Sequence, residues 1–217
     1  MPTSPAHDSH VVVFDVNVFL DVASLLGPRF EATALSSASA VHIGSACPHP
    51  TDSRIDSLRA LTVCTSGRFV GPQPLQVWTS SHIDHLIVHK LTQPIDGPTP
   101  ELAGFGWTEA EADEFLDRLV YGLVFDMSKG GTVGDVPIPS GSPPLSHEDG
   151  CVFRTAAEAG DPTESRLLKY CVTNDRQFRK AEPNLSSEVL ILYPSEWVQL
   201  VRKARIVAAM GKMKPIK

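Results

Sequence analysis

The chain has 217 residues, 42% of them hydrophobic, and a formal net charge of −6. That length supports one domain with a sizeable core, and the acidic balance excludes a generally basic protein that coats nucleic acid, because phosphate contacts need clustered Lys and Arg. The first ten residues, MPTSPAHDSH, carry neither a basic region nor an apolar run, and no later stretch offers about 18 consecutive apolar residues, so the expectation is a soluble, cytoplasmic protein without a membrane span.

In chain order, Val11 to Phe14 reads as a fully buried strand, since strands of a parallel sheet covered on both faces are continuous apolar runs. A short helix is predicted over Asn17 to Leu26, and residues 27–54, rich in Ser, Ala, Pro and Gly, form a segment of no definite pattern. Arg54 to Cys64 reads as a helix with Ile55, Leu58 and Leu61 spaced by three. LQVWTS is a strand, and SSHIDHLIVHKL a helix that begins at Ser80 or Ser81. After the loop TQPIDGPTPELAGFG, a helix runs from Thr108 to Phe125, opened by a capping box and holding Phe115, Leu116, Leu119 and Leu123 on one face. Ser128 to Pro144 is a long Gly/Pro-rich loop. Ser146 caps a helix through Ala159, LLKYCVT is a strand ending near Thr173, SEVLILYP is another, and a last helix starts at Ser195. The alternation predicts an α/β fold, three layers (α/β/α) around a mainly parallel central sheet. It is read as one domain, 1–217, with insertions around 27–54 and 128–145 and a basic tail, 202–217, that is either a solvated end or a patch. Cys47, Cys64, Cys151 and Cys171 have no C-x-x-C spacing and read as reduced thiols.

Four acids stand out against this background. Open parallel sheets bind ligands outside the carboxyl ends of their strands, where Asp15 follows the first strand and Asp175 follows LLKYCVT. At 100° per residue Asp84 falls in the apolar sector of its helix, between Val88 and Leu91, while His82, His85 and His89 fall opposite; Asp149 falls among Val152, Phe153, Ala156 and Ala159. A carboxylate turned inward is costly unless it is paired or bound to a cation, and a set of hard oxygen donors suits Mg²⁺ or Mn²⁺. The competing reading of each acid is structural: Ser81-x-x-Asp84 and Ser146-x-x-Asp149 match capping patterns, and Asp15 and Asp175 match helix caps or turn residues.

VVVFDVNVFLD, VWTSSHIDHLIVHKL, SHEDGCVFRTAAEAGDP and YCVTNDRQFRKA, in this order from residue 11 to 181, resemble the PIN-domain family, which includes the toxin nucleases of VapBC-type toxin–antitoxin pairs. The resemblance implies a PIN-like fold and a metal-dependent endoribonuclease, with Mg²⁺ or Mn²⁺ held by Asp15, Asp84, Asp149 and Asp175 and the carboxylates supported by Asn17 and Thr173. It departs from the family where Asp84 stands for a Glu and His147 for an Asp. It also implies an RNA substrate, a small antitoxin covering the acidic site if the chain is a toxin, and a homodimer, for which the helix from Thr108 is a candidate surface unless the core takes its apolar face. Two alternatives compete. A haloacid-dehalogenase-like phosphatase wants a second acid two residues after the first, where this chain has Asn17; a PIN-like module would bind RNA or protein without cutting. Neither His82/His85/His89 nor His42/Cys47/His49 supplies a closed zinc site, and Trp78 and Trp197 read as core.

Overall fold

The computed structural model describes residues 8–44, 53–96, 103–134, 145–164, 166–181 and 188–212; Cys47, His49 and 135–144 of the Gly/Pro-rich loop therefore lie outside the described residues. The fold is α/β: five parallel strands in the order β3-β2-β1-β4-β5, flanked by helices in a three-layer arrangement.

β1 (Ser9–Phe14) is central, and every residue in it is buried. Val11, Val12, Val13 and Phe14 are each 0% exposed, and covering each such side chain stabilises the fold by about 1.5–3 kcal/mol. Its neighbours pair in parallel register, Val13 with Trp78 on β2 (Leu75–Ser80) and Phe14 with Val172 on β4 (Leu167–Val172). Parallel strands need crossovers. α1 (Val16–Leu26), α2 (Leu35–Gly44) and α3 (Ser53–Thr62) lie between β1 and β2, so residues 32–44 of the patternless segment are helical.

α4 (Ser81–Thr92) follows β2 directly. Its capping residue is Ser80, whose Oγ accepts from the Ile83 N–H, so the cap is one residue ahead of the Ser81-x-x-Asp84 pattern, with Asp84 still in the first turn. The helix from Thr108 opens on its capping box as α5 (Glu109–Phe115) and then widens into a π-helical segment, Leu116–Met127. Its apolar face is spent on the core, with Phe115, Leu119 and Leu123 fully covered. That takes the inward face of the helix, while Phe125 on the π-helical segment stays exposed.

The loop after it holds an unforeseen strand, β3 (Gly131–Val133), too short and glycine-bearing to announce itself. Close approach explains Gly130: a Cβ there would lie 1.8 Å from the Val77 carbonyl oxygen. The Val77 N–H, which the short β3 does not reach, donates instead to buried Ser128 Oγ at 2.9 Å.

α6 (His147–Glu158) packs on β1, β2 and β4. After β4 come a short α7 (Arg176–Ala181), absent from the sequence reading, β5 (Val189–Leu192), and α8 (Pro194–Lys212), which packs on α3. Cys64, Cys151 and Cys171 are buried free thiols, and Trp197 is core. Among the described residues no helix is long and apolar enough to cross a membrane.

Candidate functional site

Because β1 and β4 are hydrogen-bonded neighbours in register, the residues just past their ends emerge side by side. Strand order reverses here, the chain leaving β1 toward β2 and returning later on the other side as β4, which is where α/β sheets open a crevice. Asp15 is held by its own N–H donating to Val172 O at 2.9 Å. It occupies the N-cap position of α1 but makes no side-chain cap bond. Its Oδ2 instead accepts from Thr173 Oγ1 at 2.6 Å and from Asn17 Nδ2 at 2.6 Å, so two donors on one oxygen fix the carboxylate.

Asp175 does act as a cap: its Oδ1 accepts from the Gln177 and Phe178 N–H groups, and its own N–H donates to Thr173 Oγ1 at 2.9 Å. Asp149 lies in the first turn of α6, with its N–H donating to Ser146 Oγ at 3.2 Å. Asp15, Asp149 and Asp175 line one cavity of about 200 Å³, together with Glu148, Asn17 and Lys90 and apolar walls from Val16, Leu20, Leu86 and Val152.

The three carboxylates interact through charge. Burial is the main reason that the Asp15 carboxyl is pushed up to about 6; Asp149 and Asp175 push the same way, while the Thr173 bond and the Val16 N–H pull it down. Asp149 is likewise raised by burial, with Asp175 and Glu148 adding to it against the pull of Ser146. Anionic groups crowded this way favour a proton or a cation.

Asp84 is not part of this group. It is buried, but Thr79 Oγ1 donates to its Oδ1 at 2.6 Å and Tyr121 OH to its Oδ2 at 3.0 Å, and it lines a different cavity with His85, His89, Asp113 and Tyr121. The expectation of a four-acid site on Asp15, Asp84, Asp149 and Asp175 is corrected accordingly. The reason is helical geometry: two residues along α4 is a rotation of 200°, so Leu86 and Lys90, one turn apart, face the acidic cavity and Asp84 faces away. Its inward turn serves a structural contact to the π-helical segment.

The cavity's donor set is oxygen-only, which fits a hard divalent cation in kind. Among the described residues, however, no three His, Cys, Asp or Glu side chains stand close enough to form a closed metal cage as they are.

Sequence reasoning missed several participants. Glu148 enters the cavity beside Asp149, and Lys90 enters from α4. Asn174 extends the network, its N–H donating to Asn17 Oδ1 at 3.1 Å and its Nδ2 to Asp21 Oδ2 at 2.7 Å, where Ser57 Oγ of α3 also donates. A helical wheel puts Leu86 and Lys90 on one side of α4 without showing that this side meets the cavity, and nothing local announces the Asp21–Ser57 contact. His82 and His147, from separate helices, face each other with ring centroids 6.2 Å apart. No protein-family model, curated protein or solved structure matches this chain.

Proposed function

We propose that the protein is a PIN-like endoribonuclease that hydrolyses RNA phosphodiester bonds with Mg²⁺ or Mn²⁺, acting as the toxin of a toxin–antitoxin pair. The observation that carries this reading is the convergence of Asp15, Asp149 and Asp175 on one cavity at the strand-order reversal, with Asp15 relieved of any capping duty. Those three carboxylates would hold the ion once drawn closer around it, since as they stand they form no closed cage. When bound, such an ion polarises a phosphoryl oxygen and lowers the pKa of water. The chain's own contributions are distinct from that chemistry: Thr173 and Asn17 orient Asp15, Lys90 lends positive charge to the cavity lining, and the apolar walls limit water. An antitoxin would cover the cavity with an Arg or Lys reaching the acids.

A second reading draws on α4, which offers the cavity Leu86 and Lys90 in place of an acid. A site short of one carboxylate fits a module that binds RNA or a protein partner without cutting.

The test is paired. Calorimetric titration with Mn²⁺ and incubation with a mixed pool of structured and single-stranded RNA are run on wild type, Asp15→Asn, Asp149→Asn and Asp84→Asn. The nuclease reading expects Mn²⁺ binding and cleavage in wild type and in Asp84→Asn, and loss of both in the other two variants. Mn²⁺-independent RNA binding with no cleavage would replace it with the binding module, and a wild type that takes neither Mn²⁺ nor RNA would overturn both.

A further inference from the structure

Two surfaces remote from the acidic cavity complement each other. The first is the outer face of the end of α8. At 100° per residue Ile206, Val207 and Met210 share one sector with Lys203, with Arg202 at its edge, opposite the buried Trp197 and Val201. Ile206 is 59% exposed, Val207 61% and Met210 65%; three contiguous apolar side chains form a patch, whereas single ones are ordinary. This helix end is anchored, because the Arg205 guanidinium donates to Val63 O at 2.8 Å, Arg68 O at 2.6 Å and Phe69 O at 3.1 Å. Those carbonyls precede β2, so the patch lies toward the amino ends of the strands, away from the acidic cavity.

The second surface is a cavity of about 470 Å³ against the π-helical segment. Glu31, Asp117 and Asp126 stand at it, and Phe125, 43% exposed and packed against Tyr121, is an apolar contact there. Among its described lining residues Arg118 is the one Lys or Arg, and it is already bridged to Glu31 at 3.3 Å and Glu114 at 3.0 Å. Charge follows the same division along the chain. The sixteen residues from Arg202 carry six Lys or Arg and no acid, so the residues ahead of them hold −12 against −6 for the whole chain.

We propose that the end of α8 docks in this cavity on a second copy of the chain, with Ile206, Val207 and Met210 covering Phe125 and with Arg202 and Lys203 meeting Asp117 and Asp126. Pairing α8 with α8 about a two-fold axis would set cation against cation. The contact is therefore between unlike surfaces, and since each copy offers both, a reciprocal pair would satisfy both surfaces of each copy.

The test is light-scattering molar mass across a concentration series for wild type, Met210→Asp and Phe125→Asp, each checked for an unchanged circular dichroism spectrum. Wild type is expected to reach at least twice the monomer mass, more weakly at high salt, while each variant stays monomeric. An equimolar mixture of the two variants is expected to form a 1:1 complex, because each keeps the surface the other lacks. Lys203→Glu with Asp126→Lys, separately disruptive and restorative when mixed, carries the test if Phe125→Asp does not fold. A monomeric wild type, a Met210→Asp chain that still associates, or variant mixtures that stay monomeric would overturn the proposal.

Discussion

At the scale of single residues, the contrast between Asp15 and Asp84 is the instructive one. Both are buried and both accept two side-chain hydrogen bonds, yet Asp15 opens onto a cavity shared with two other acids, whereas Asp84 ties α4 to Thr79 and Tyr121. Removing a donor from a buried carboxylate costs about 1–3 kcal/mol. Thr173→Val should lower stability by that order at neutral pH and push the Asp15 carboxyl above its value of about 6, since the Thr173 bond is what most pulls it down; a carboxyl-detected NMR titration would read the change, and an unmoved Asp15 would refute it. Tyr121→Phe should cost stability of about 1–2 kcal/mol in urea denaturation while leaving Mn²⁺ affinity unaltered. A variant that lost Mn²⁺ binding would return Asp84 to the site.

At the scale of elements, the short segments carry the greatest constraint. β3 has three residues, and it can pair with β2 only because the chain at Gly130 runs against Val77. Gly130→Ala would force backbone apart rather than shift a flexible side chain. It should cost several kcal/mol, of the order of about 3, and detach β3, which hydrogen exchange at Trp78 to Ser80 would report as lost protection. Exchange unchanged in a stable variant would contradict that account. The caps illustrate how local chemistry can mislead by one residue: Ser80 and Ser81 are equally good capping types, but only Ser80 is placed at the end of β2 with its Oγ also accepting from Thr155 of α6 at 2.9 Å.

At the scale of the whole molecule, acid sensitivity reflects two opposed groups. His10 is buried, stacked on Phe69 with centroids 3.5 Å apart, and burial lowers its pKa to about 4 against the attraction of Asp8. Between pH 6.5 and 4 the unfolded chain therefore binds a proton at this position that the folded chain refuses, and stability falls as pH drops through that window. Asp15 works in the other direction: folded, it takes its proton near 6, unfolded near 3.8, so acidification between those values adds stability. His10→Phe, which keeps the stack and removes the proton site, should gain stability relative to wild type as the pH falls from 6.5 to 4 when urea midpoints are compared at neutral and mildly acidic pH. An identical acid profile in the variant would place the sensitivity elsewhere.

A continuous apolar run was enough to read β1, and short apolar-rich segments alternating with helices were enough for β2, β4 and β5, the parallel sheet and the strand-end positions of Asp15 and Asp175, because burial leaves its mark directly in the order of residues. Thr108 announced its helix through a local hydrogen-bonding pattern for the same reason: the partners are three residues apart. What the chain order does not carry is which side of α4 meets the crevice, and with it the exclusion of Asp84 and the entry of Leu86, Lys90 and Glu148. A wheel ranks faces by polarity, but a helix packed against the sheet, the π-helical segment and α6 has several inward directions, and only tertiary contacts choose among them. The widening of the helix after Phe115, the pairing of β3 and the Asn174–Asp21–Ser57 contact were decided there too, since each depends on atoms brought together from distant positions in the sequence.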